Sequence, residues 1–435
     1  MKQVNHSPRR FALGMVLTLQ AIAGGAQAAE GVRFSRIDVR GNTQSSDAEI
    51  LALCQLSPTA RYQANDLRMA LDCLGQSGRF ETVNFDAEGD VLVVNVLEAP
   101  QYSGLLDVSA SVDSDRGLSA NLFVEKQNLF SEELTGSLSV ELSKYDQYLG
   151  AFLQDEDMFG SGIPGGFNLE YSGQNYPDSA YDVSQFELGS YLEFAHGENA
   201  LTRLRAGVQR LEVDDVAPTA GAYMQGEENT FSRLFLGADY QQRREFALGN
   251  LESASLQFSA SQVFYANSGG GNASKTEASA AVRAATQGER FAFGASVSGG
   301  HVAALGGGRT SIADRFQLGG ESLRGFAERS IGPRENGHAL GGNSYAVMRV
   351  EGDMRLMSFE NIELRGGLFA EAGSVWGLSD APATIDDDAN LKSSVGVSFG
   401  VEVGDVPINL FYAVPVNSDP GDDVQRFGFS LSRRF

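Results

Sequence analysis

The chain has 435 residues, of which 56 are acidic and 33 basic, for a formal net charge of −23. That balance excludes a nucleic-acid partner, because phosphate contact needs clustered Lys and Arg. The length admits one large domain, or a small one joined to a large one.

The first segment carries Arg9-Arg10, an apolar run from Phe11 to Ala23 and then Ala26-Gln27-Ala28. A basic start, a short apolar core and an A-x-A site predict a secretory signal peptide over residues 1–28. The run is too short to span a bilayer. A buried N-terminal helix and a twin-arginine signal are the alternatives. No later segment reads as a continuous apolar helix. The remaining choices are a soluble secreted protein or a membrane barrel, whose strands hide their apolar face in alternation.

Residues 30–100 differ in texture from the rest. Phe34, Ile37 and Val39 are strand-like and end at the turn Gly41-Asn42. Ser45-Ser46-Asp47 then caps a helical pattern with Ile50, Leu51 and Leu53, and a second follows Ala64-Asn65-Asp66. Two strands close the segment, Phe80–Phe85 and Val91–Leu97. The order strand, helix, helix, strand, strand predicts a small α+β domain. Cys54 and Cys73, the two cysteines of the chain, fall late in the two helices. In an exported protein such a pair reads as a disulfide that staples a domain with a small core; two free thiols on facing helices are the alternative.

This segment resembles a POTRA (polypeptide-transport-associated) domain. The resemblance is carried by Ile37-Asp-Val-Arg-Gly41-Asn42, by Leu74-Gly-Gln-Ser-Gly78-Arg-Phe80-Glu-Thr-Val83 and by Val96-Leu-Glu98-Ala-Pro100.

After Tyr102 the pattern changes to alternation. Leu204, Ala206 and Val208 oppose Arg203, Arg205, Gly207 and Gln209; Leu256, Phe258 and Ala260 oppose Ser255, Gln257 and Ser259. About sixteen such segments, from near 103–112 to 424–435, predict a closed antiparallel β-barrel over residues 101–435. A soluble β-sandwich also alternates, but with shorter strands. The last segment puts Phe427, Phe429, Leu431 and Phe435 on one face, which resembles the C-terminal recognition signal of bacterial outer-membrane barrels. Acidic groups such as Glu227-Glu228, Asp386-Asp387-Asp388 and Asp422-Asp423 read as solvated loop tips, with roles linked to divalent cations or lipopolysaccharide as the alternative.

A long loop lies between the eleventh and twelfth segments, and it holds Leu323-Arg324-Gly325-Phe326. Long loops inside compact folds are commonly functional. An Arg bracketed by apolar residues needs a carboxylate if the loop folds inward. Parity supplies two. Glu351 shares a face with Val347, Arg349, Asp353 and Arg355, and Glu371 shares one with Glu363, Arg365, Phe369 and Gly373. Both faces are the lumen side, so Arg324 is expected between Glu351 and Glu371 as a charge-assisted, bidentate lock. Gly325 would permit close backbone approach and Phe326 would anchor the tip.

With Asn128-Leu-Phe130, Ser393-Ser-Val-Gly396 and Tyr412-Ala-Val-Pro415, the chain resembles the BamA/TamA-like superfamily of outer-membrane assembly factors and two-partner secretion transporters. The family's [VIL]-R-G-[FY] loop matches Leu323–Phe326. Its F-x-D-x-G strand matches Phe369-x-Glu371-x-Gly373, with Glu in place of Asp. The resemblance implies an outer-membrane barrel with a periplasmic POTRA domain that assists insertion or translocation of proteins. Its implied partners are outer-membrane lipid and lipopolysaccharide, client polypeptides held by the POTRA domain, and the barrel assembly machinery for its own insertion. A passive or gated pore, or a structural surface antigen, is the alternative. There is no G-x-S-x-G, P-loop or zinc spacing, so no enzyme activity, metal or cofactor is expected. A barrel hydrolase using His196 or His338 as base is the competing idea.

Overall fold

The computed structural model describes residues 31–434 apart from 44, 78, 99–103, 115–116, 132–133, 176–179, 249–250, 268–270, 360–361, 404–405 and 420–421. The expected signal peptide and Phe435 lie outside the described residues. The chain divides into two compact units, Met1–Tyr102 and Ser103–Phe435.

The smaller unit runs β1 (Arg36–Arg40), α1 (Asp47–Leu53), α2 (Ala64–Gln76), β2 (Phe80–Glu88) and β3 (Val91–Glu98). Its sheet has the order β1-β3-β2, with β1 parallel and β2 antiparallel to β3. Among the described residues both outer strands therefore keep one unpaired edge. Leu92, Val94 and Val96 alternate along β3 and pack with Ile50, Leu74, Phe34 and Tyr62 to form the core. The helix start predicted at Ser45–Asp47 is a capping box. The Ser46 hydroxyl accepts from the Glu49 N–H, while the Glu49 carboxylate accepts from the Ser46 N–H at 2.7 Å. Those bonds hold the exposed Glu49 carboxyl below its ordinary value. Glu98 takes the Thr43 N–H at 2.7 Å and the Ser45 N–H at 2.8 Å, tying the strand exit to the turn after β1. Cys54 and Cys73 form a disulfide between the end of α1 and α2.

The larger unit is a barrel of sixteen strands. They are β4 (Gly104–Asp113), β5 (Gly117–Lys126), β6 (Leu134–Leu142), β7 (Asp146–Asp155), β8 (Gly165–Gln174), β9 (Asp182–Ala195), β10 (Ala200–Asp214), β11 (Asn229–Leu248), β12 (Leu251–Asn267), β13 (Asn272–Thr286) and β14 (Phe291–Leu305). A short hairpin, β15 (Arg334–Glu335) and β16 (His338–Ala339), lies in the loop before β17 (Ser344–Phe359). Then follow β18 (Ile362–Trp376), β19 (Lys392–Val403), β20 (Val406–Asn417) and β21 (Phe427–Arg434). Each barrel strand is antiparallel to its neighbours, and β21 returns to β4 to close the sheet. The last strand starts at Phe427, three residues later than the alternation suggested.

Alternation sorts the two faces of the wall. Leu188, Leu204, Leu256, Leu368 and Phe427 are exposed on the outside, whereas Glu187, Gln209 and Glu371 are buried within. Lumen charges pair across strands, as in Arg205–Asp239 at 2.8 Å and Arg203–Glu193 at 2.5 Å. A closed barrel leaves no open edge and satisfies its backbone between strands, which is what a hydrocarbon environment requires. No helix among the described residues is long and apolar enough to cross a membrane.

The long connections 215–228, 306–343 and 377–391 all emerge at one end, opposite the start of β4 and the end of β21. They share a core of their own in which Tyr223, Met224, Ile312, Leu340 and Ile385 are buried. The short helix α3 (Ala222–Gln225) belongs to this cap, and the Glu335 carboxylate accepts the N–H groups of Tyr223 and Met224.

Candidate functional site

The loop 306–343 folds inward. Leu323 and Phe326 are fully buried and pack with Leu318, Ile331, Val347 and Val375. Val347 and Val375 belong to the lumen faces of β17 and β18, so the loop tip sits against the inner wall. Burying a Phe side chain favours that position by roughly 2–3 kcal/mol.

Between these two apolar residues stands Arg324. Its Nε donates to Glu371 Oε1 at 2.6 Å, and Nη2 reaches the same oxygen at 2.5 Å. Glu371 Oε2 takes the Arg324 backbone N–H at 2.7 Å. One carboxylate therefore holds both the side chain and the main chain of the loop. In place of the bidentate lock expected between Glu351 and Glu371, Nε and Nη2 share one oxygen of Glu371, whose other oxygen is taken by the backbone amide. The Glu371 side chain is wholly buried and that of Arg324 is 16% exposed. Glu351 is a weaker partner than expected: it stands 3.6 Å from Arg324 and is 54% exposed. A cavity of about 280 Å³ borders Arg324, Arg349 and Glu351, which leaves Glu351 room to be solvated.

Two features escaped sequence reasoning. Arg349, a lumen residue of β17, lies 3.4 Å from Glu371 and donates to the Glu321 carbonyl. The Arg324 guanidinium also stacks 3.6 Å over the Phe369 ring, with Phe411 edge-on to that ring. Parity puts Phe369 on the lumen face two residues before Glu371, but it does not show the ring under the guanidinium.

The motif residues converge on this tip. Gly325 has φ +100°, and a Cβ on it would come 3.1 Å from Ser394 and 3.3 Å from Ala413. Gly396 leaves the space that the Phe369 ring fills, since a Cβ there would stand 2.3 Å from Cζ. The segments around Ser393–Gly396 and Tyr412–Pro415 thus form the floor under Arg324-Gly325. Asn128-Leu-Phe130 is not brought there. It forms the β5–β6 turn at the opposite end, with Phe130 84% exposed. Phe427 faces outward, Phe429 and Leu431 follow it on β21, and Phe429 borders the cavity beside Arg324 and Glu351.

The base of the loop holds a second set of ion pairs that the sequence reading did not single out. Arg233 of β11 forks onto Asp314 at 2.7 and 2.8 Å and stacks on Tyr265. Arg315 meets Glu227 at 2.6 Å with its side chain fully buried. The apolar bracket Ile312, Ala313 and Phe316 around Arg315 is the same pattern that drew attention to Arg324. The acidic groups are accordingly not all solvated tips. Glu227 is 8% exposed, Asp387 accepts the Leu378 N–H at 2.7 Å, and Asp422 pairs with the buried Lys392 at 2.7 Å. Each satisfies a cation or amide that the cap buries.

His196 bonds Thr202, His301 bonds Ser344 and His338 meets Thr219, so the three described histidines stand apart. No group of three or more His, Cys, Asp or Glu side chains able to hold a metal occurs among the described residues.

Comparison with known proteins places this geometry in a family. Residues 128–435 match the Omp85 superfamily domain. The outer membrane protein assembly factor BamA of Neorickettsia risticii is 24% identical over 93% of this chain and 55% of its own length. The chain thus spans about half the length of that curated relative. A crystal structure of BamA from Haemophilus ducreyi lacking POTRA domains 1–3 superposes with a TM-score of 0.69 at 16% identity, covering 94% of this chain and 86% of that one. CdiB from Escherichia coli gives a TM-score of 0.53 at 15% identity, covering 93% and 77%. The chain belongs to the Omp85 superfamily, as a sixteen-stranded barrel of the bacterial outer membrane.

Proposed function

We propose that this protein assists the insertion of polypeptides into the outer membrane, or their passage across it. In this reading residues 1–28 direct export, residues 30–100 are a periplasmic POTRA domain and residues 101–435 are the barrel. The observation that carries it is the arginine lock. A loop held on Glu371 inside the lumen suits a device that must be positioned and released, and a passive pore has no need of it. The BamA likeness and the strand and helix order of the small unit point the same way.

The unpaired edges of β1 and β2 offer backbone groups to an extended client, which would bind by strand addition. The barrel seam is short. β21 pairs with β4 only from Ser430–Asp113 to Arg434–Ser109, five positions among the described residues. Outer-membrane lipid and lipopolysaccharide would surround the barrel, and the assembly machinery would insert it.

The test sets client capture against conductance. Deleting residues 31–98 should abolish assembly of clients in proteoliposomes while leaving any bilayer conductance unchanged. Unimpaired assembly after that deletion would overturn the reading. A Val112→Cys/Leu431→Cys staple across the seam should slow assembly until reductant is added; full activity while oxidised would remove the seam from the mechanism.

A further inference from the structure

β20 pairs with β19 as far as Asn417, but its other edge pairs with β21 only from Ile408 to Tyr412. One further bond follows, from the Ala413 N–H to the Arg426 carbonyl at 2.7 Å. Donors toward one neighbour recur at every second residue of an antiparallel ladder. The next donor toward the last strand would be residue 415, opposite Val424. Residue 415 is Pro, which has no N–H. β20 therefore loses its hold on the chain just before β21.

On the other edge β4 also stops short. Its pairing with β21 ends at Asp113, and the Ser114 N–H adds one bond to the Phe429 carbonyl at 3.1 Å. The alternate backbone groups that face β4 belong to the odd-numbered residues, and above Phe429 the loop tip takes them. The Gln425 N–H donates to the Gly325 carbonyl at 3.2 Å, and the Asp423 carbonyl accepts the Ala327 N–H at 2.8 Å. These two bonds have the pattern that flanks a non-hydrogen-bonded antiparallel pair, Phe326 opposite Val424. Arg334 adds an ion pair to Asp423 at 3.0 Å, and Lys392 holds Asp419 and Asp422 at 2.6 and 2.7 Å.

We propose that the tip Gly325–Ala327 serves as the edge strand for residues 423–425, on the seam side of the last strand where β4 no longer reaches. Pro415 is the positioning residue that makes this segment depend on the loop. Release of the lock then frees the upper end of the last strand, and the seam edge lengthens by the backbone groups of Asp423 and Gln425. The functional weight of this coupling rests on the lock reading above, although the contact itself does not.

Hydrogen exchange on the purified full chain in detergent tests it, with folding checked by the heat-dependent gel mobility of the closed barrel. Two variants release the tip by different means: Arg324→Ala removes the ion pair, and Gly325→Val removes the left-handed residue that fits between Ser394 and Ala413. In each variant that frees the loop, the peptide over 422–427 should exchange roughly tenfold faster together with the loop peptide over 322–329. Adding Pro415→Ala restores a donor for Val424, so the 422–427 peptide should regain protection while the loop stays fast. A freed loop beside an unchanged 422–427 peptide overturns the coupling. A loop unmoved by Arg324→Ala but freed by Gly325→Val counts against the lock and leaves the coupling to be decided by the second variant.

Discussion

At the base of the long loop, Arg315 is fully buried against Glu227, and Arg233 is 2% exposed against Asp314. At its tip, Arg324 keeps 16% exposure and shares Glu371 with Arg349, while Glu351 stays largely in solvent. Among the described residues each base arginine has one carboxylate partner, and removing either partner leaves a buried charge without its counter-ion. The tip is different. If Arg324 leaves, Arg349 still stands 3.4 Å from Glu371, so the buried carboxylate keeps a cation. The same loop thus has a base of single ion pairs and a tip whose carboxylate has a second cation at hand.

That contrast can be broken by measurement. The largest effect is expected from Arg315→Ala, which leaves Glu227 unpaired. It should lower the unfolding free energy in detergent by about 3–5 kcal/mol, and a loss of under about 1 kcal/mol would erase the distinction. Next comes the pair at the tip. Arg324→Ala and Arg349→Ala should each be milder alone, but the double variant should cost about 1–3 kcal/mol more than their sum, because only then is Glu371 stranded. Additive values would mean that Arg349 is no substitute. Glu371→Gln keeps the shape yet removes the charge that both arginines face, and about 1.5–3 kcal/mol of stability should be lost. Glu351→Gln should cost no more than about 1 kcal/mol, since the pair is solvated; a larger loss would make Glu351 a full member of the lock.

Much of this arrangement was legible beforehand. Alternation alone marked the sixteen strands, because a wall between lipid and lumen forces opposite chemistry on successive residues. It also put Glu371 on the lumen face and Arg324 in an apolar bracket, which is enough to bring a loop to a wall. The cap was read differently. Glu227 and Asp422 looked like surface acids, and their cations lie 88 and 30 residues away along the chain. No periodicity links residues so far apart when one or both lie in irregular loops.

Sequence by itself determined the barrel, its strand count, its lumen parity and the charge chemistry available to the loop and the wall, since these follow from local pattern. Tertiary structure alone decided how that chemistry is shared. It set Nε and Nη2 of Arg324 on one oxygen of Glu371, left Glu351 to solvent and brought Arg349 and Phe369 to the tip. It also let the loop backbone complete the edge of the last strand. Partner choice of this kind depends on distances between strands and loops brought together by barrel closure, and local pattern carries no record of those distances.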